Sequence, residues 1–204
     1  MKKLFVGIVV ALLEVNLFGC GVDKPTQKTS DFSESSILES SESFVPESSE
    51  SEGSMNDIPI SLEKFVQLTD EALGQEGYTK ISDAEESVSD GELVGTPCEI
   101  HSYKISDKVY IYLYVNPSTG NLMEIFIYGS EYREMEESEY LWIGYMEGLV
   151  LGGFEGDSAT SVSDQLGDAN FSETSMKFAT GKSCNYTRLI DSEKETMIFM
   201  VTAK

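Results

Sequence analysis

The stretch Val109–Val115 reads Val-Tyr-Ile-Tyr-Leu-Tyr-Val, a strict alternation of aliphatic and tyrosine side chains. Successive side chains of a β-strand point to opposite faces, so this pattern predicts a strand with one aliphatic face and one tyrosine face. The aliphatic face suits a hydrophobic core, and the other face carries Tyr110, Tyr112 and Tyr114. We therefore expect a sheet that is packed on one side and aromatic on the other.

Neighbouring segments extend the aromatic face. A two-residue turn at Ser106-Asp107 would place Tyr103 opposite Tyr110 and His101 opposite Tyr112. Two aromatic residues of the following strand would join them on the same side. The predicted binding face consists of His101, Tyr103, Tyr110, Tyr112, Tyr114, Phe126 and Tyr128. Tyrosine suits recognition because it combines apolar area, few rotamers and a polar tip.

The same tyrosines are also compatible with two structural roles. They can be half-buried beneath another part of the chain, or they can be cross-strand pairs that only stabilise the sheet. Binding and the two structural roles differ in whether the aromatic side is open to solvent.

The chain also repeats itself at an offset of 74 residues. Ser87–Asp90 recurs letter for letter as Ser161–Asp164, and the apolar segment Met123–Ile127 falls on Met197–Val201. A constant offset across loop and strand is typical of an internal duplication. The two repeats would span about residues 57–130 and 131–204.

Each repeat is predicted to be a helix followed by a three-stranded meander. In the first, Ser61 can cap a helix, and strands follow at about residues 98–105, 109–115 and 122–128. In the second, a helix spans about residues 137–154, and strands follow near 174–180, 184–190 and 195–202. Two such units predict an α+β fold with helices packed on one face of antiparallel sheet.

One segment of the second repeat carries a family resemblance. Gly156–Val162, followed by Gln165-Leu166-Gly167, resembles the short helix of the β-lactamase-inhibitor-protein-like fold, which small bacterial envelope lipoproteins share. The resemblance implies that fold and a class of proteins that mostly bind other proteins without catalysis. It implies no particular contact residues.

The first 19 residues have the pattern of a secretory signal. Two lysines precede the apolar run Leu4–Leu13, which is about half the roughly 20 residues that a membrane-spanning helix needs. Leu17–Cys20 then resembles the lipobox of bacterial lipoproteins. The resemblance implies diacylglycerol on Cys20, and hence a lipid anchor in the cell membrane on its extracytoplasmic face. The alternative is an ordinary cleaved signal peptide.

Residues 20–56 are rich in Ser and Glu, and we expect a lipidated N-terminus followed by a disordered linker. Residues 57–204 then form one globular domain. The chain has 36 acidic and 14 basic residues, for a net charge of −22. Such a chain is repelled by nucleic acid, so nucleic-acid binding is excluded.

Cys98 and Cys184 are the candidate disulfide, in a compartment that permits such bonds. Closing the long loop between them would contribute about 4 kcal/mol in the chain-entropy view. Strand parity opposes the bond, because it places Cys98 on the aliphatic face with Ile100 and Cys184 on the aromatic face. The alternative is two buried free thiols.

Catalytic and metal-binding patterns are weak. His101 is the only histidine, and Cys98 lies three positions away, which on a strand sends the two side chains to opposite faces. We therefore expect no enzyme, no metal site and no cofactor, and a non-enzymatic binding module for another envelope or extracellular protein. The alternatives are a structural or assembly lipoprotein without a dedicated ligand, and a hydrolase whose carboxylates meet only on folding.

Overall fold

The computed structural model describes residues 57–204. The predictions for residues 1–56 lie outside these described residues, including the signal segment, lipidation at Cys20 and the Ser/Glu-rich linker. The described residues form an antiparallel sheet with helices, so the predicted α+β class is confirmed.

Seven strands build a single sheet. They are β1 (Glu85–Leu93), β2 (Thr96–Lys104), β3 (Val109–Val115), β4 (Leu122–Gly129), β5 (Ser175–Thr180), β6 (Cys184–Asp191) and β7 (Thr196–Ala203). Their order is β1-β2-β3-β4-β7-β6-β5, and each neighbouring pair is antiparallel. The first four strands and the last three therefore form two meanders that meet where β4 pairs with β7.

Three α-helices of the described residues accompany the sheet. They are α1 (Leu62–Gln75), α2 (Glu137–Glu155) and α3 (Ala159–Leu166). The predicted cap of the first helix is confirmed, because Ser61 Oγ accepts a hydrogen bond of 3.2 Å from the backbone N–H of Lys64. This bond satisfies one of the N–H groups that a helix start leaves without an intrahelical partner.

The hydrophobic core lies between the helices and one face of the sheet. Ile111 and Leu113 of β3 are fully buried in one cluster with Phe65 of α1 and Trp142 and Val150 of α2. Burying each such aliphatic or aromatic side chain stabilises the fold by roughly 1.5–3 kcal/mol relative to exposure. The aliphatic face of the Val109–Val115 alternation is therefore what attaches the helices to the sheet.

The structure differs from the predicted repeats at strand β1 and at the repeated tetrapeptide. Strand β1 pairs along its whole length with β2 at one edge of the sheet, in a segment for which no strand was predicted. Its Ser87–Asp90 lies in a strand, whereas the identical Ser161–Asp164 lies in α3. This four-residue identity therefore does not mark equivalent structural elements.

Within residues 57–204, none of the helices is both long and apolar enough to cross a membrane.

Candidate functional site

The face of the sheet opposite the three helices carries three rows of side chains that run across the strands. We call it the open face. The first row is Met176, Leu189, Ile198, Tyr128, Tyr110 and Lys104, ordered from β5 to β2. The second row is Phe178, Thr187, Met200, Phe126, Tyr112 and Ser102. The third row is Thr180, Asn185, Thr202, Glu124, Tyr114 and Ile100. None of these residues belongs to the core cluster of the helices.

Five of the seven predicted aromatic-face residues lie together here. Tyr110, Tyr112 and Tyr114 are partly exposed and point away from the helices, and Phe126 and Tyr128 stand opposite them on β4. The ring centroids of Tyr112 and Phe126 are 5.9 Å apart, and those of Tyr110 and Tyr128 are 6.5 Å apart. Such cross-strand ring pairs stabilise the sheet and present a continuous aromatic surface.

The prediction was wrong for His101 and Tyr103, because the turn before β3 is longer than two residues. Ile105 N and Ser106 N both donate to the carbonyl of Val109, at 3.0 and 3.2 Å. This loop shifts the register by one residue, so Tyr103 pairs with Ile111 and His101 with Leu113. A one-residue shift moves every side chain of a strand to the other face.

The displaced residues instead form a polar cluster with β1 on the helix-covered side of the sheet. His101 Nδ1 lies 2.9 Å from Glu86 Oε1, and Nε2 lies 3.6 Å from Glu99 Oε2. Hydrogen bonds from His101 and Tyr103 lower the pKa of the Glu86 carboxyl below its usual value. Burial, together with Glu86, raises the pKa of Tyr103. These contacts add to the backbone pairing between β1 and β2.

The open face continues beyond the predicted residues into a broad apolar region. Ile198 and Met200 of β7 stand beside Tyr128 and Phe126 on β4. At the far edge, Met176 and Phe178 of β5 are 52% and 66% exposed, which is unusual for large apolar side chains. The uninterrupted apolar run of β7 could have indicated this region, because a strand that is apolar at successive positions places apolar side chains on both faces of the sheet.

Glu124 is the residue of this face that the sequence reasoning missed. It lies in the third row between Tyr114 of β3 and Thr202 of β7, and only 8% of its surface is exposed. None of the described residues forms a hydrogen bond or ion pair with its carboxylate, and burial raises its pKa. The sequence pattern that could have indicated this residue is a single carboxylate within the otherwise largely apolar strand Leu122–Gly129.

The two cysteines are free and buried, and they lie on opposite faces of the sheet. The faces are the reverse of those predicted. Cys98 shares the open side with Ile100, whereas Cys184 lies on the helix-covered side next to Tyr186. Burial raises the pKa of both thiols, that of Cys184 to about 12. Thiols held in the neutral form are poor nucleophiles.

Within residues 57–204, no three His, Cys, Asp or Glu side chains are placed to hold a metal ion together. What the open face offers is partly exposed aromatic and aliphatic area with one buried carboxylate. That combination is suited to recognition.

Comparison of the chain with protein-family models, with curated proteins and with solved structures gives no match.

Proposed function

We propose that the chain is a lipoprotein anchored to the cell membrane on its extracytoplasmic face, and that its domain is a non-enzymatic binding module for another envelope or extracellular protein. The open face is the proposed docking surface. The observation that carries this proposal is the partly exposed aromatic and apolar area of that face, which lies outside the core of the helices.

The size and shape of the open face favour a protein partner. Six inter-strand steps of about 4.8 Å make the face roughly 29 Å wide. Small-molecule sites are concave and enclose their ligand, whereas standard protein interfaces bury about 800 Å² on each side over a broad surface. A seven-stranded sheet face is broad enough for an interface of the second kind.

The chemistry of the face also suits protein binding. The ring of Tyr112 contacts the rings of both Tyr110 and Phe126, so little side-chain entropy is lost when a partner covers them. Aromatic residues at the centre of an interface contribute most of the binding energy when they are fully desolvated. The central rows of the open face have this composition.

We further propose that the two halves of the domain arose by duplication of a helix-plus-meander unit, with the β-lactamase-inhibitor-protein-like fold as the model for that unit. Phe126 of β4 pairs with Met200 of β7, and the two residues are 74 positions apart, which equals the offset of the sequence repeat. A residue that pairs with its own equivalent is what a local two-fold axis between two strands produces. This supports the duplication for the last strand of each half.

Replacement of the tyrosines tests the docking surface. We expect the triple variant Tyr110→Thr, Tyr112→Thr, Tyr114→Thr to lose at least about 90% of any envelope protein that the immobilised full chain retains, equivalent to more than about 1.4 kcal/mol. Threonine keeps the preference for a strand. Retention is measured by quantitative mass spectrometry, and thermal unfolding checks that the variant is folded.

Val88→Thr is the matched control, because Val88 is a 55% exposed strand residue on the other side of the sheet. It should retain the same proteins as the wild type. A folded triple variant that retains them equally well would overturn the docking surface and favour an envelope lipoprotein without a dedicated ligand.

A further inference from the structure

The described residues contain three buried glutamates, and two of them are neutralised or fully hydrogen-bonded. Glu147 of α2 forms an ion pair with Arg188 of β6. Glu155 accepts hydrogen bonds from the backbone N–H groups of Ser183 and Cys184, at 3.0 and 3.1 Å. Both lie on the helix-covered side, where their partners come from the sheet. They are structural.

Glu124 is the exception, and it faces the open side. It is buried to a similar degree, yet no described residue donates a hydrogen bond to it. An ionised carboxylate accepts hydrogen bonds and donates none. Because no described residue donates to Glu124, its only hydrogen-bond donors are water molecules that reach the small exposed part of its surface. A partner that covers the open face removes this water. Such a partner either supplies a donor or loses affinity through an unpaired buried charge.

We propose that the protein partner of the open face inserts a lysine or arginine side chain against Glu124, with apolar side chains beside it on the first and second rows. This inference rests on the proposed function and specifies its partner as a basic, apolar protein segment. A cation supplies the donors that Glu124 lacks, and charge-assisted hydrogen bonds are about twice as strong as neutral ones.

The surroundings of Glu124 fit a cationic head group on an apolar body. Tyr114 stands directly opposite it on β3, so a cation at the carboxylate also lies beside an aromatic ring. Thr202 and Asn185 continue the third row with polar side chains, while Phe126 lies in the neighbouring second row between Met200 and Tyr112. The carboxylate of Glu124 is therefore flanked by polar side chains toward β6 and by apolar side chains in the second row.

The net charge of the chain favours a basic partner over the other occupants of this face. At −22, the chain attracts cationic partners over long range and repels acidic ones. The linker has two lysines, Lys24 and Lys28 near its N-terminal end, and its Ser/Glu-rich part, residues 29–56, contains acidic residues and no lysine or arginine that could pair with Glu124. A second copy of the chain would bring the same net charge.

Selection from a random 12-residue peptide library displayed on phage, with the immobilised full chain as target, tests the inference. We expect selected peptides to contain lysine or arginine flanked by aromatic or aliphatic residues. Glu124→Gln should weaken their binding at least tenfold. Glu92→Gln makes the same charge change at an exposed position on the other side of the sheet, and it should leave binding within twofold.

Two failures are distinguishable. If the peptides lose binding in the triple tyrosine variant but lack basic residues and bind Glu124→Gln as well as wild type, the open face binds proteins and the cation inference is wrong. If no selected peptide depends on the tyrosines, the docking surface itself is wrong, and the inference falls with it. A melting temperature of Glu124→Gln at or above that of wild type ensures that lost binding does not reflect unfolding.

Discussion

At the residue scale, two of the three buried glutamates of residues 57–204 have partners in the fold and one has none. Glu155 and Glu147 are satisfied by the fold, and their carboxylates tie helices to strands. Glu124 has no such role, and its burial raises its pKa. A group retained at a cost to stability is a candidate for function, because folding alone would favour a neutral side chain at that position.

Glu124→Gln is therefore expected to stabilise the domain near pH 7. Because the pKa of this carboxyl is raised on folding, the folded state binds its proton more tightly than the unfolded state does. The free energy of unfolding of the wild type therefore decreases as the pH rises through the raised pKa. The variant has no ionisable group at this position, so it does not undergo this decrease. Each kcal/mol gained raises the melting temperature by roughly 2–4 °C.

Thermal unfolding of the variant and wild type at several pH values measures this effect. The advantage of the variant should disappear below pH 4.5, the ordinary pKa of the carboxyl, where Glu124 is protonated in both states. A variant that is less stable than wild type at pH 7 would show that Glu124 has a structural partner.

At the element scale, strands were predictable where one or both faces are buried. Val109–Val115 was predicted to the residue, because its aliphatic side chains meet the helices. Strand β1 was missed, because nearly all its residues are exposed and its pairing comes from β2 and not from a hydrophobic face. Composition cannot indicate a strand that neighbouring backbone stabilises.

The site was only partly predictable for a related reason. Tyr110, Tyr112 and Tyr114 follow from period-two geometry within one strand. The positions of His101 and Tyr103 depend on the number of residues in a turn, which the polar letters of that turn left undetermined. The lack of a partner for Glu124 depends on what the rest of the chain brings near it, and this is a property of the folded molecule alone.

The β5–β6 hairpin gives a prediction at this scale. Glu155 at the end of α2 accepts hydrogen bonds from backbone N–H groups of the hairpin and from the Tyr186 hydroxyl at 2.8 Å. We expect Glu155→Ala to destabilise the domain by about 3 kcal/mol, because it leaves several buried donors unpaired. Urea unfolding followed by circular dichroism measures this change.

The same residue makes the domain acid-sensitive. Burial alone would raise the pKa of Glu155, but hydrogen bonds from Tyr186 and the hairpin N–H groups outweigh it and lower the pKa. The contribution of Glu155 to the free energy of unfolding is present above its unfolded-state pKa and is lost as the pH falls through its folded-state pKa. The difference in the free energy of unfolding between wild type and Glu155→Ala should therefore become smaller in acid. A pH-independent difference would contradict the hydrogen-bonded carboxylate.

At the scale of the whole molecule, three parts have separate tasks in the proposal. We propose a lipid on Cys20 as the membrane anchor, the Ser/Glu-rich segment as the linker, and the open face as the docking surface for the partner. The excess of acidic residues keeps the molecule away from anionic surfaces and attracts basic partners.

Cys20→Ser is expected to release the protein from the membrane. Serine has no thiol to accept diacylglycerol, and two acyl chains are what make such an anchor stable. Membrane and soluble fractions of the producing cells are compared by immunoblot, together with incorporation of labelled palmitate. Cys98→Ala, which removes a thiol within the sheet, should leave the distribution unchanged. A membrane-bound, labelled Cys20→Ser variant would contradict lipidation at this residue.

Site-specific photo-crosslinking in the producing cells tests the docking surface most directly. A photoreactive phenylalanine analogue replaces Tyr112 at the centre of the open face, or Val88 on the opposite side of the sheet as a control. We expect a discrete adduct with another protein from position 112 and none from position 88. Equal adducts from both positions, no adduct from position 112, or a crosslink from position 112 to residues 21–56 of the same chain would contradict the docking surface.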